Sequence, residues 1–91
     1  MYKIVYTNVM RKNTKLMQKR GKDMSKLRDI IEMLATGTEL PQKYLDHSLK
    51  GYYCGYRECH IEPDWLLIYK IDKGALLLTL TKTGTHSDLF I

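Results

Sequence analysis

Trp65-Leu66-Leu67-Ile68-Tyr69 is apolar at odd and even positions alike. Side chains alternate between the two faces of a strand, so this run reads as a central strand covered on both sides. Hairpin-short breaks flank it: Glu62-Pro63-Asp64 separates it from a preceding strand at residues 53–61, and Asp72-Lys73-Gly74 from a following one at residues 76–82. Connections this short join antiparallel neighbours, so the three segments make a meander with residues 65–71 in its middle.

Upstream the period changes. Residues 2–7 are β-branched and aromatic, with Tyr2, Ile4 and Tyr6 on one face, and read as a further strand. Residues 9–20 turn helical around a thin apolar stripe of Val9, Leu16 and Met17. Gly21 stands where a helix end favours positive φ, and Arg20 suits the negative end of the dipole. Met24, Leu27, Ile30, Ile31 and Leu34 then form one continuous helical stripe, with Asp23 as N-cap and Gly37 as stop. Residues 38–51 read as a loop long enough to invite a functional explanation. The expected fold is α+β, order β-α-α-β-β-β, with a two-helix hairpin packed on a small antiparallel sheet in one domain, residues 1–91.

Composition agrees with one small domain. The chain has 91 residues, 44% of them hydrophobic and 27% charged, which excludes disorder and leaves no room for a separate cofactor domain. The net charge of +5 is unevenly spread. Residues 1–28 carry nine basic side chains against Asp23 alone, a local +8, while residues 29–91 carry six against nine acids, a local −3. Such a basic third suits a polyanion or an acidic protein partner, or keeps a solvated face soluble. Cys54 and Cys59, read on one strand, face apart and cannot bridge. No apolar run reaches a membrane span and the N-terminus opens directly on a strand, so a reducing cytoplasm is expected.

Three histidines are the side chains best able to move protons near neutrality. His60 ends a strand and Asp64 begins the next, so the turn through Pro63 brings imidazole and carboxylate close. His47 lies in the long loop, and His86 follows the turn Thr83-Gly84-Thr85. Cations accompany them: Lys50, Arg57 and Lys82. This inventory suffices for metal-independent RNA cleavage, in which a base frees the 2′-hydroxyl to attack phosphorus and an acid protonates the leaving 5′-oxygen. A zinc site from Cys54, Cys59 and His60 lacks paired-ligand spacing, and no metal or cofactor is expected. Phe90, Trp65 and the tyrosines at 52, 53 and 56 are possible base-stacking surfaces. Trp65 also reads as core, and Phe90 must pin the tail or meet a ligand.

Four blocks carry a resemblance: residues 18–24 (QKRGKDM), 46–51 (DHSLKG), 56–70 (YRECHIEPDWLLIYK) and 83–90 (TGTHSDLF). Together, in this order, they resemble the YafQ branch of the RelE/ParE toxin superfamily across nearly the whole chain. The resemblance implies a type II toxin, a ribosome-dependent endoribonuclease cutting mRNA in the A site, with two helices packed on an antiparallel sheet. It implies catalytic roles for His86 above all, with His47, His60 and Asp64, and supporting or RNA-contacting roles for Trp65 and Phe90. It further implies a hetero-oligomer with a neutralising cognate antitoxin, a DNA-binding dimer. Arg11, Lys12, Lys15, Lys19, Arg20 and Lys22 are then candidates for docking ribosome or antitoxin. Lys82 stands where relatives usually carry arginine, exchanging a planar fork for a point charge. Met10 and Asn13 replace the Phe and Asp common there and read as packing and surface variation. The alternative is a non-catalytic protein of the same fold, acting by binding as the ParE branch does on gyrase, or as part of a repressor.

Overall fold

The computed structural model describes residues 1–90. Strand β1 (Lys3–Tyr6) leads into helices α1 (Asn8–Lys19) and α2 (Met24–Ala35). The short strand β2 (His47–Ser48), β3 (Arg57–Glu62), β4 (Trp65–Asp72) and β5 (Leu77–Gly84) follow, and α3 (His86–Phe90) closes the chain. The sheet has five strands in the order β1-β5-β4-β3-β2.

Both long helices begin and end where local chemistry dictates. Thr7 caps α1 by accepting from the Met10 N–H, and Asp23 caps α2 by accepting from Ser25. At the C-termini Gly21 and Gly37 take φ of +85° and +76°. Each closes a Schellman motif, with Lys22 and Thr38 N–H groups bonding back to the Met17 and Met33 carbonyls. Gly-free sequences would pay the left-handed penalty at both sites.

The helices cover one face of the sheet. Met10, Met17, Leu27, Ile30, Ile31 and Leu34 pack on Cys59, Ile61, Trp65, Leu67, Tyr69, Leu78 and Leu80. The opposite face is covered only in part: Leu89 of α3 lies on Leu66 and Ile68, with Leu49 and Tyr56 beside them. The double-sided burial expected of the central strand is therefore present, and the thinly covered face is where polar chemistry remains accessible.

Several expectations need correction. The sheet is mixed, because β1 pairs parallel with β5 from Lys3↔Leu77 to Tyr6↔Leu80. No turn joins these partners, so hairpin logic could not reveal their direction. The 38–51 loop contains β2, whose His47 and Ser48 pair with Glu58 and Arg57. Strand β3 starts at Arg57, later than expected, because a 3₁₀ turn at Gly51–Tyr53 and positive φ at Gly51 and Gly55 interrupt extended backbone. Cys54 is thus an exposed loop residue, off the strand that holds the buried Cys59. In α1 the inward stripe is Met10 and Met17, both fully buried, while Val9 and Leu16 stay exposed. Asn13 is more than surface variation: its Oδ1 accepts the Thr83 N–H. Among the described residues no helix is long and apolar enough to cross a membrane.

Candidate functional site

The three histidines come from three different elements and meet on the thinly covered face. His47 and His60 have ring centroids 6.4 Å apart, and His60 and His86 5.8 Å. Pairing of β2 with β3 brings in His47, since its ladder partner Glu58 lies two residues from His60 and so shares its face. The β3–β4 turn presents Asp64, and the first turn of α3 presents His86.

Asp64 and His86 are bonded twice. The Asp64 Oδ1 accepts both the His86 backbone N–H at 3.0 Å and its Nδ1 at 2.7 Å. Those two bonds, the backbone one foremost, hold the Asp64 carboxyl below its ordinary value. His47 donates from Nδ1 to the Leu45 carbonyl at 2.7 Å, and His60 from Nδ1 to the Pro63 carbonyl at 3.3 Å. A carbonyl only accepts, so the proton sits on Nδ1 in both rings. Each of the three rings thus spends Nδ1 on a fixed acceptor and keeps Nε2 for other partners.

Glu58 is the residue that sequence reasoning missed. Its side chain is 7% exposed, with Oε1 3.4 Å from His60 Nε2 and 3.8 Å from His47 Nε2. The Nε2 atoms of both rings therefore face one and the same carboxylate. The signal was present: Glu58 and His60 are two apart on one strand. One carboxylate oxygen and two ring nitrogens of Glu58, His60 and His86 also lie within 4.8 Å of one another, close enough for three ligands of a transition metal.

Helix α3 is built to hold His86. Thr85 and Asp88 cap it reciprocally, Thr85 Oγ1 accepting the Asp88 N–H and Asp88 Oδ2 accepting the Thr85 N–H. Arg20 forks onto the same carboxylate at 2.6 and 3.1 Å, and this drives the Asp88 carboxyl strongly down. The sequence pattern predicts a strand ending at residue 82 and a turn after it; instead β5 runs to Gly84 and α3 begins at His86.

The expected cations divide. Lys82 lies on the site face, its Nζ 2.9 Å from the Tyr53 hydroxyl, and Tyr53 in turn meets the Phe90 ring edge-on at 6.0 Å. Phe90 remains 45% exposed, open to a ligand. Lys50 is exposed, with no hydrogen bond or ion pair among the described residues. Arg57 is not with the histidines: three residues from His60, it falls on the opposite face, where Nε and Nη2 each reach Asp46 at 3.3 Å. Trp65 is fully buried and donates from Nε1 to Thr83 Oγ1, so it cannot stack on a base and acts only from within. Of the docking candidates, Arg11, Lys12, Lys15 and Lys19 are exposed along α1. Arg20 is engaged by Asp88, and Lys22 by Glu62 at 3.1 Å.

Known proteins share this fold. The mRNA interferase toxin YafQ of Escherichia coli K12 is 49% identical over 89 residues, covering 96% of this chain and 94% of the relative. A crystal structure of the E. coli DinJ-YafQ complex contains a chain that superposes with a TM-score of 0.92 at 43% identity, covering all of both chains. A crystal structure of YafQ from E. coli BL21(DE3) gives 0.94 at 43% identity, again covering both chains fully. The family described as "Bacterial toxin of type II toxin-antitoxin system, YafQ" matches residues 2–91, and the chain belongs to that family.

Proposed function

We propose that this protein is a ribosome-dependent mRNA endoribonuclease, working in the cytoplasm and held inactive by a cognate antitoxin. The observation that carries this reading is the convergence of His47, His60 and His86 with Asp64 fixed on His86 Nδ1 at 2.7 Å. Asp64 sets the tautomer and orientation of His86, leaving its Nε2 at the open edge, where an imidazolium is a general acid. His60 and His47, sharing Glu58, supply the base. The base takes the 2′-hydroxyl proton, the freed oxygen bonds to the adjacent phosphorus, and the 5′-oxygen leaves with the proton of His86. The products are a 2′,3′-cyclic phosphate and a 5′-hydroxyl. Lys82 stands nearby as the cation for the charge that gathers on the phosphoryl oxygens. Phe90 offers a ring to a neighbouring base, and Lys12, Lys15 and Lys19 offer α1 to ribosomal RNA.

The test maps cleavage ends on translated mRNA with and without ribosomes. Cyclic phosphate ends that appear only with ribosomes support the reading, and His86→Ala should slow their formation by about 10² to 10⁴. Intact mRNA together with DNA damage on expression would instead identify a binding toxin.

A further inference from the structure

Asp46, Arg57 and Tyr69 form a polar cluster behind the sheet that the chemistry above does not use. Arg57 and Tyr69 are ladder partners on β3 and β4. Both reach the same carboxylate: Arg57 forks onto Asp46, and the Tyr69 hydroxyl donates to its Oδ1 at 2.5 Å. Tyr69 is almost wholly buried while the Asp46 side chain is 24% exposed, so this bond is partly shielded from water. The clamped residue is the immediate neighbour of His47.

The segment being clamped has reason to need it. Strand β2 has only two residues and two ladder pairs, too few to fix a side chain. Leu45 just before it takes φ +50°, ψ +40°, a left-handed conformation that is strained for a branched residue and persists only where surroundings enforce it. That conformation aims the Leu45 carbonyl at His47 Nδ1, 2.7 Å away. The chain alternates faces here, with the Asp46 carboxylate held on the helix-covered side and the His47 ring on the open side.

We propose that Asp46, Arg57 and Tyr69 are positioning residues that hold Leu45 left-handed and thereby lock His47 as the Nδ1–H tautomer, with Nε2 free for the reaction. Arg57 thus acts through the sheet rather than on phosphate. The catalytic consequence rests on the ribonuclease reading above; the tautomer does not.

Two measurements test it on the full chain. Two-bond ¹H–¹⁵N spectra of the imidazoles, recorded above neutral pH, should show His47 as a single Nδ1–H tautomer in the parent. In Tyr69→Phe and Arg57→Ala it should become a mixture, while His60 and His86 keep their signals. Arg57→Lys should restore part of the parent signal. In parallel, kcat on ribosome-bound mRNA should fall by ~10- to 100-fold, the scale of a small misplacement, with KM unchanged. Asp46→Asn, nearly isosteric, provides the same readout if a core substitution prevents folding. An unchanged His47 tautomer in a folded variant overturns the proposal, even if activity falls. A mixed tautomer in a protein whose parent cuts no RNA would sink the ribonuclease reading and leave the clamp standing.

Discussion

Gly84→Ala tests whether the seating of α3 governs the site. A methyl at Gly84 would lie 2.9 Å from Asp88 Cβ, 3.0 Å from its Oδ2 and 3.3 Å from its Cγ. The backbone there is not left-handed, so the substitution changes space alone. Asp88 must retreat by about half an ångström to restore ordinary contact. It cannot retreat freely, because Arg20 holds it at 2.6 and 3.1 Å and the Thr85 N–H at 2.9 Å. Overpacking of this kind costs about 1 to 3 kcal/mol. For a chain this size each kcal/mol lowers Tm by about 4 to 8 °C, so a fall of roughly 5 to 20 °C is expected. Activity should suffer more than stability, since α3 carries His86 and a misplacement near 1 Å costs about 10²-fold in rate. Calorimetry and mRNA cleavage are measured for Gly84→Ala, Asp88→Gly and the double variant. Asp88→Gly removes the atom that clashes, so in that background the extra methyl should cost almost nothing. An equal cost in both backgrounds would refute the packing argument, as would a Gly84→Ala protein with parental Tm and rate.

Acid should loosen the same region first. Asp64, Glu62 and Asp88 are all held below their ordinary values, respectively by the His86 N–H, by Lys26 with Lys22, and by Arg20. A depressed carboxyl stabilises above its unfolded value and loses that contribution as pH falls, so Tm should drop below about pH 4.5. The drop should shrink in high salt, because these pairs are exposed. Neutralising Lys12, Lys15 and Lys19 should flatten the dependence of log K for ribosome binding on log salt by roughly 2 to 3, leaving saturated cleavage intact. Native protein should take up one equivalent of alkylating reagent at Cys54; Cys59 is fully buried, and burial pushes its thiol to about 12. Mass spectrometry counts the adducts, and denaturant should expose the second.

What the sequence showed and what it hid follow from how far each interaction reaches along the chain. Helix caps, the double-sided strand at residues 65–69 and the hairpin meander are local patterns, and all three are present. The parallel edge pairing of β1 with β5 is not local, since its partners are separated by most of the chain. Parity was the neglected signal at the site. It places Glu58 beside His60 and sends Arg57 behind the sheet, yet basic character alone suggested a phosphate role for Arg57. Trp65 was ambiguous for the same reason that an aromatic always is: stacking surface and core filler have one composition, and burial decides between them. The strand pairing that brings His47 to His60 had no sequence signature, because two residues are too short a strand to show a period.

The uneven charge acquires a finer meaning from these contacts. A +8 third invited one reading, a docking face, but its members serve two purposes. On α1, Lys12, Lys15 and Lys19 make no ion pair among the described residues and Arg11 lies over the Tyr6 ring, whereas Arg20 is spent on Asp88 and Lys22 and Lys26 on Glu62. Those two acids are not arbitrary: Asp88 lies two residues beyond His86, and Glu62 midway between His60 and Asp64. Arg20, Lys22 and Lys26 therefore tie the basic third to α3 and to the end of β3, two of the three segments that carry the reacting groups. Neutral substitutes at Arg20 or Lys22 would remove a positive charge just as those at Lys12 do, yet the loss should fall on kcat in the first case and on ribosome affinity in the second. Charge count cannot distinguish the two sets, but the partner of each side chain can.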